Sequence, residues 1–289
     1  MAQVTVRASA SARQDQTTTL PYDVVPSKPT GTLQNDVMYA HVVIYANNTR
    51  SCATPSGWTL VDSTSSGNYY SYLFSLVAGA SEPSTYTFTI SGTAGGSSSA
   101  CVVTITSLYN NSTSGPTDVH SVAVAGSGTS VTGTEITPTI NPESLMLFFV
   151  GAGSSATSTI SAYAVANNNP SWTELYEYTT SAGSNYWSSQ SMAYGQYAAV
   201  STTGSPTATL STSSANSVHM ISVRVPNFNL STPLATIAEG PFAPTTSIDT
   251  ALPLGTVAIT AQVPAVAQAD PKWTNPTKHS STWTNTQKS

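Results

Sequence analysis

Only 7% of the 289 residues are charged, and this limits the fold more than any other feature of the chain. A soluble helix shows Glu, Lys, Arg and Gln on its outer face, and an average soluble domain is about 25% charged. Serine and threonine, 45 of each, take the place of those residues. With Val and Tyr beside them they suit a half-buried pleated surface, so the composition predicts an all-β chain. The length is enough for one large core or two modest ones.

Charge and patterning exclude several classes of function. Eight Lys and Arg against 13 Asp and Glu give a net charge of −5, which cannot neutralise a phosphate backbone, so no nucleic-acid partner is expected. The longest apolar run, Leu145 to Val150, is strand length and far below a membrane span, so no membrane insertion is expected. Met1 to Arg13 has no basic stretch followed by an apolar one, hence no secretory signal. Cys52 and Cys101 are too few for a disulfide framework and read as two quiet thiols, a single bridge being the alternative.

β-branched and alternating runs mark strands at Val37–Tyr45, Tyr69–Val77, Thr85–Ile90 and Ala100–Tyr109. A second set lies at Leu145–Val150, Ile160–Val165, Thr173–Thr179, Met192–Val200 and His219–Val225. No apolar stripe has helical spacing. The sets share an order: long apolar strand, polar loop, a Trp-Thr turn (Pro55-Ser56-Gly57-Trp58-Thr59-Leu60, then Pro170-Ser171-Trp172-Thr173-Glu174-Leu175), then three further strands. The prediction is an antiparallel β-sandwich or jelly roll over residues 26–227, built of two similar halves at about 26–113 and 133–227. Residues 1–25 form an N-terminal strand or arm. The halves are expected to pack into one body, with two sequential domains as the alternative.

Beyond Pro226, prolines at 233, 241, 244, 253, 264 and 271 break any ladder, so 228–289 reads as an extended C-terminal arm. It ends in a tandem near-repeat, Trp273-Thr274-Asn275-Pro276-Thr277-Lys278 and Trp283-Thr284-Asn285-Thr286-Gln287-Lys288. The indoles, amides and lysines of Trp273, Asn275, Lys278, Trp283, Asn285 and Lys288 are the candidate anchors to a partner.

Catalytic groups are sparse, and the chain reads as a non-enzyme without cofactor or metal. His41, His120, His219 and His279 have no metal-ligand spacing, and His41 and His219 lie in strand patterns as structural histidines. Gly126-Ser127-Gly128 lacks the lysine of a phosphate loop and reads as a turn. Glu174 and Glu177, three apart on a strand, are expected on opposite faces and so cannot pair as acid and base. Asp36, Asp62 and Glu82 are expected at strand ends, accepting backbone N–H bonds. Trp58 and Trp172 read as core anchors. Among the Tyr and Trp residues, Tyr69, Tyr70, Tyr186 and Trp187 are the candidate surface for a glycan or an interface.

The succession Pro29-x-Gly31-x-x-x-x-Asp36-Val37-x-x-Ala40, then Pro55-Ser56-Gly57-Trp58-Thr59-Leu60-Val61, then Ala78-Gly79-Ala80-Ser81-Glu82-Pro83-x-x-Tyr86-x-Phe88, resembles a family of tailed-bacteriophage virion proteins. Its members occur among minor tail, fibre-associated and capsid decoration proteins, and the terminal Trp-Thr-Asn repeats resemble C-terminal tails of phage structural proteins. The resemblance covers Pro26 to Asn110 well and the second half loosely. It implies a virion protein assembled in the host cytoplasm, with other capsid, portal or tail subunits as partners and a homo-oligomeric state. It supplies no catalytic residue, since its Gly-Trp and Glu-Pro positions are structural. A carbohydrate-binding adhesin contacting a host surface glycan is the alternative reading.

Overall fold

The computed structural model describes residues 3–226, apart from 94–97, 122–123, 140–143, 166–169, 182–184 and 198–200. Two compact units divide the chain, Met1–Leu230 and Ser231–Ser289, and the C-terminal arm with its candidate anchors lies outside the described residues. Among the described residues there is no helix.

In the first half, β1 (Thr5–Thr17), β8 (Ser99–Tyr109), β3 (Val37–Ala46), β6 (Tyr69–Val77) and β5 (Thr59–Ser66) form one antiparallel sheet in that order. A smaller sheet runs β2 (Tyr22–Val24), β7 (Phe88–Gly92), β4 (Arg50–Cys52). Successive strands thus alternate between two sheets, the winding of a jelly roll, and only β5 departs by pairing with β6. The first 25 residues supply β1 and β2.

The second half repeats this plan. Its large sheet runs β10 (Val124–Thr132), β15 (Pro206–Val223), β11 (Ser144–Ser154), β14 (Trp187–Tyr197), β13 (Thr173–Thr179). One long strand, β15, does the work of both β7 and β8: its start pairs with β12 (Ile160–Val165) and its end with β11. β10 likewise does the work of β1 and β2, and β9 (Thr117–His120) extends the same edge. Gly126-Ser127-Gly128, expected as a turn, lies inside β10. There Gly128, at φ 126°, opens a bulge before Ser130, and a Cβ on Gly126 would come within 3.0 Å of Asn216 Oδ1.

A shared irregularity fixes how the halves correspond. β5 is bulged between Leu60 and Asp62 against β6, and β13 between Glu174 and Tyr176 against β14. Followed inward through the ladders, Leu60 matches Glu174, Phe74 matches Ala193, Ala40 matches Phe148, and Ile105 matches Met220. One step along each strand, His41 matches Phe149, Leu73 matches Met192, and Thr104 matches His219.

The two large sheets pack face to face, as expected of halves that form one body. Between them lie Tyr39, Leu73, Leu108, Leu147, Phe149, Met192 and Ile221. The outer face of the first roll closes on the small sheet around Ile44, Phe74, Phe88, Ile105 and Trp58. The outer face of the second closes around Phe148, Val150, Leu210 and Ile160. β3 and β11 therefore have cores on both sides, and nearly all their residues are buried. That is why they carry the longest uninterrupted apolar runs rather than an alternation.

Glycines set how closely the sheets approach. A Cβ on Gly151 would lie 2.2 Å from Tyr69 Oη and 2.7 Å from Val43, and one on Gly153 would lie 2.7 Å from the Tyr45 ring. We expect Gly151→Ala to destabilise the body by about 1–3 kcal/mol through overpacking. The check is a lower urea midpoint at unchanged slope.

Candidate functional site

The seam between the rolls is lined by a row of polar side chains, and they are buried. Tyr69 on β6 donates or accepts at Ser217 Oγ of β15 over 2.6 Å, and Ser188 Oγ of β14 donates to the Ala100 carbonyl of β8 over 2.9 Å. Between these contacts lie His41, Ser71, Thr104, Gln190 and His219, each 0–1% exposed.

Hydrogen bonding fixes how these groups are set. Gln190 satisfies its amide when its oxygen accepts from the Thr104 backbone N–H (2.9 Å) and hydroxyl. Its nitrogen then donates to His41 Nδ1 (3.2 Å) and to the His41 carbonyl (3.0 Å). His41 is thereby the Nε2–H tautomer and donates to Ser71 Oγ over 3.1 Å, and Ser71 donates to His219 Nε2 over 2.8 Å. The proton of His219 sits on Nδ1, a buried atom without a partner among the described residues. Burial, then the neighbouring His219, pushes the pKa of His41 well below that of a free imidazole. Burial, then His120, lowers that of His219 to about 3. Both rings are neutral, hydrogen-bonded structural groups, the role expected of them.

Pseudosymmetry explains the pairing. Ser71 and Gln190 are equivalent positions, as are His219 and Thr104, so the Ser71–His219 and Gln190–Thr104 bonds are one contact made twice. The matched residues His41 and Phe149 meet each other across the seam, ring centroids 5.5 Å apart.

At one end the seam opens into a groove of about 440 Å³, lined by Gly57, Thr59 and Leu60 of the first roll and by Pro116, Asp118 and His120 leading into the second. His120 Nδ1 lies 3.7 Å from Asp62 Oδ2 across it. Asp118 is already engaged, accepting from the Thr139 N–H at 2.7 Å and approached by Arg224 at 3.5 Å. Leu60 stands 43% exposed at the mouth. No Phe, Tyr or Trp is among the lining residues, so the groove lacks the broad stacking platform that sugar binding favours.

The predicted surface is dispersed. Tyr69 is fully buried in the seam, which corrects its assignment to a glycan or interface surface: its register partner is Tyr45, and its hydroxyl crosses to the other roll. Tyr70 is half-buried and packs on the first roll's outer core. Tyr186 and Trp187 are half-buried, with Tyr186 5.7 Å from the Tyr45 ring.

The carboxylates depart from expectation in two places. The β13 bulge restores parity, so Glu174 and Glu177 stand opposite Ala193 and Ser191, two apart on β14, and share a face. Burial raises the pKa of Glu177 and Glu174 adds to it, against the Ile160 N–H bonded to Glu177 Oε1 at 2.7 Å. Both glutamates are exposed. Asp36 accepts from the Leu33 N–H (2.8 Å) and from both Arg7 nitrogens (2.6 and 3.0 Å), and Glu82 accepts from the Gly79 N–H (2.6 Å), as turn carboxylates do. Asp62 sits instead inside β5 at its bulge, and accepts from the Ser63 N–H at 2.8 Å. Cys52 and Cys101 are free and buried, and burial pushes the Cys52 thiol up to about 12.

The residues carrying the family resemblance are structural. Gly57, at φ 83°, completes a turn in which the Trp58 N–H returns to the Pro55 carbonyl over 3.1 Å, and this delivers the indole to the core. There it meets Tyr86 and Phe88, ring centroids 5.3 and 5.7 Å away. Glu82 reaches the Tyr86 hydroxyl at 2.8 Å, tying that loop to the strand entry.

The class these observations define is a β-protein of two jelly rolls joined face to face. Compared with known proteins, the chain matches no family model, no curated protein and no solved structure at a significant level.

Ser71→Ala removes the shared hydroxyl and leaves the Nε2 atoms of both His41 and His219 without a partner in a buried seam. We expect a loss of about 2–3 kcal/mol at neutral pH, read as a fall in the urea midpoint.

Proposed function

We propose that this protein is a structural component of a tailed-phage virion, displayed on the capsid or tail surface as a decoration, fibre-associated or minor tail protein. Its arm, residues 228–289, joins it to other virion subunits. The reading rests on the motif run from Pro29 to Phe88, whose residues build turns and a core rather than a reactive site. The rest of the molecule agrees with that use. Its polar side chains are chiefly hydroxyls, and the seam's titratable groups are closed off from solvent.

The arm carries what a fold-on-partner segment needs. Trp273 and Trp283 each offer a large apolar surface, worth a few kcal/mol if buried, and Lys278 and Lys288 follow each indole at the same interval. Many copies acting together multiply a modest affinity, so a homo-oligomer on a repeating lattice gains most from such an anchor. The adhesin reading has less support, because Tyr69 is buried and Tyr70 lies apart from the Tyr45–Tyr186 pair.

Particles assembled with the chain lacking residues 272–289 test the proposal. The truncated protein is expected to fold, giving the wild-type urea transition, and to be missing from purified particles by mass spectrometry. Incorporation at the normal level would overturn the anchoring role, and absence of the full-length chain from particles would overturn the virion reading itself.

A further inference from the structure

Two imidazoles sharing one hydroxyl are an unusual filling for the middle of a closed interface. The rings of His41 and His219 lie 5.5 Å apart, edge to face, with Ser71 Oγ bonded to both. We propose that this His41–Ser71–His219 relay makes the joint between the two rolls acid-labile, because the closed joint buries both rings and offers no acceptor set for a proton added to either.

The argument is geometric. Every polar contact of the relay is already committed in one direction: Gln190 donates to His41, His41 to Ser71, Ser71 to His219. A proton added at His41 Nδ1 would face the donating Gln190 amide. One added at His219 Nε2 would face the Ser71 O–H, which would have to give up this acceptor and turn elsewhere while its oxygen accepted from both rings. A charge in the seam would also be next to the other imidazole.

The groups packed around the rings offer no compensation. They are Ser71 and Leu73 from β6, Thr104 from β8, Phe149 from β11 and Gln190 from β14, together with the other histidine. Two further titratable groups bear on the relay: Tyr69 on β6, a neutral phenol whose hydroxyl interacts with Ser71, and His120 on β9, itself a base, which acts on His219; the carboxylate beyond, Asp62 on β5, is 3.7 Å from His120. Of the other two histidines, His120 is exposed at the groove and His279 belongs to the arm, so among the described residues the buried imidazoles are those of the joint.

The sign follows from linkage. Both rings bind a proton more readily in the unfolded chain, near pH 6.5, than in the closed body, so the body is most stable above that pH and loses stability as pH falls through it. Each ring raises the unfolding constant by up to tenfold per pH unit below that point. Between pH 7.5 and 5 that amounts to at most about 30-fold per ring and about 1000-fold for the pair.

The test is urea unfolding of the full chain across that range, beside the double variant His41→Phe, His219→Thr. Those are the residues the other half already places at the equivalent positions, Phe149 and Thr104. The wild type is expected to show a change well above the roughly 30-fold that one ring can give, and the variant to lose most of it. If the variant does not fold, imidazole proton resonances of the folded wild type decide, with two of the four histidines failing to titrate down to pH 5. An unchanged pH dependence in the variant, or His41 and His219 resonances titrating near 6.5 in the folded protein, would overturn the proposal.

Discussion

Face-to-face contact of the two large sheets, one of five strands and one of seven, governs nearly everything else in this molecule. It buries β3 and β11 on both sides, and only strands with no solvent face can be apolar along their whole length. It also places the backbone of β11 against the bulky residues of the first roll, which is why Gly151 and Gly153 face Tyr69 and Tyr45. Polar groups in such a contact must be satisfied by one another, and the Tyr69–Ser217, Ser188–Ala100 and Gln190–Thr104 pairs each join one roll to the other.

The halves share a backbone but divide the volume of the seam unequally. Val43 and Tyr45 of β3 match Gly151 and Gly153 of β11, and Tyr69 of β6 matches Ser188 of β14. At each of these positions the first roll supplies the large side chain and the second the small one. Close packing constrains the sum across an interface and not each partner. Two copies of one unit can therefore drift apart in composition while the distance between their sheets is kept. This divergence also leaves the second half with only a loose hold on the sequence pattern of the first, since Pro170-Ser171-Trp172 has no glycine where Gly57 makes the turn before Trp58.

Strand positions in the sequence were legible wherever burial on one or both faces left an apolar mark: Val37–Tyr45, Tyr69–Val77 and Ile160–Val165 lie within a residue of the observed strands. The order of the two sets was legible too, and a further trace ran in Ser99-Ala100-x-x-Val103-x-x-x-Ser107 against Ser214-Ala215-x-x-Val218-x-x-x-Ser222, matching strands β8 and β15. Parity was not legible. A bulge adds one residue without any compositional signal, so Glu174 and Glu177 changed from opposite faces to one. The seam escaped for a similar reason: a serine in a chain with 45 of them does not announce that it bridges two histidines. Tyr69 and Tyr70 are adjacent and chemically alike, and only the pleat separates the buried one from the half-buried one.

The bulges themselves are distributed by a rule that the rest of the architecture explains. Each outermost strand pairing of the large sheets is interrupted, β1 and β5 in the first and β10 and β13 in the second. The inner pairings, β3 with β6 and β8, β11 with β14 and β15, run without a break. Regular ladders suit the centre, where register decides which side chains meet in the seam. Irregular ones suit the rim, where a straight ladder edge would invite another chain to pair with it. Charged groups reinforce the rim, with Arg7, Arg13 and Asp15 on β1, Asp62 on β5, and Glu174 and Glu177 on β13. A protein with so few charges has little electrostatic repulsion to keep its copies apart. Placing those charges and bulges on the outermost strands protects the edges at which sheets would otherwise join.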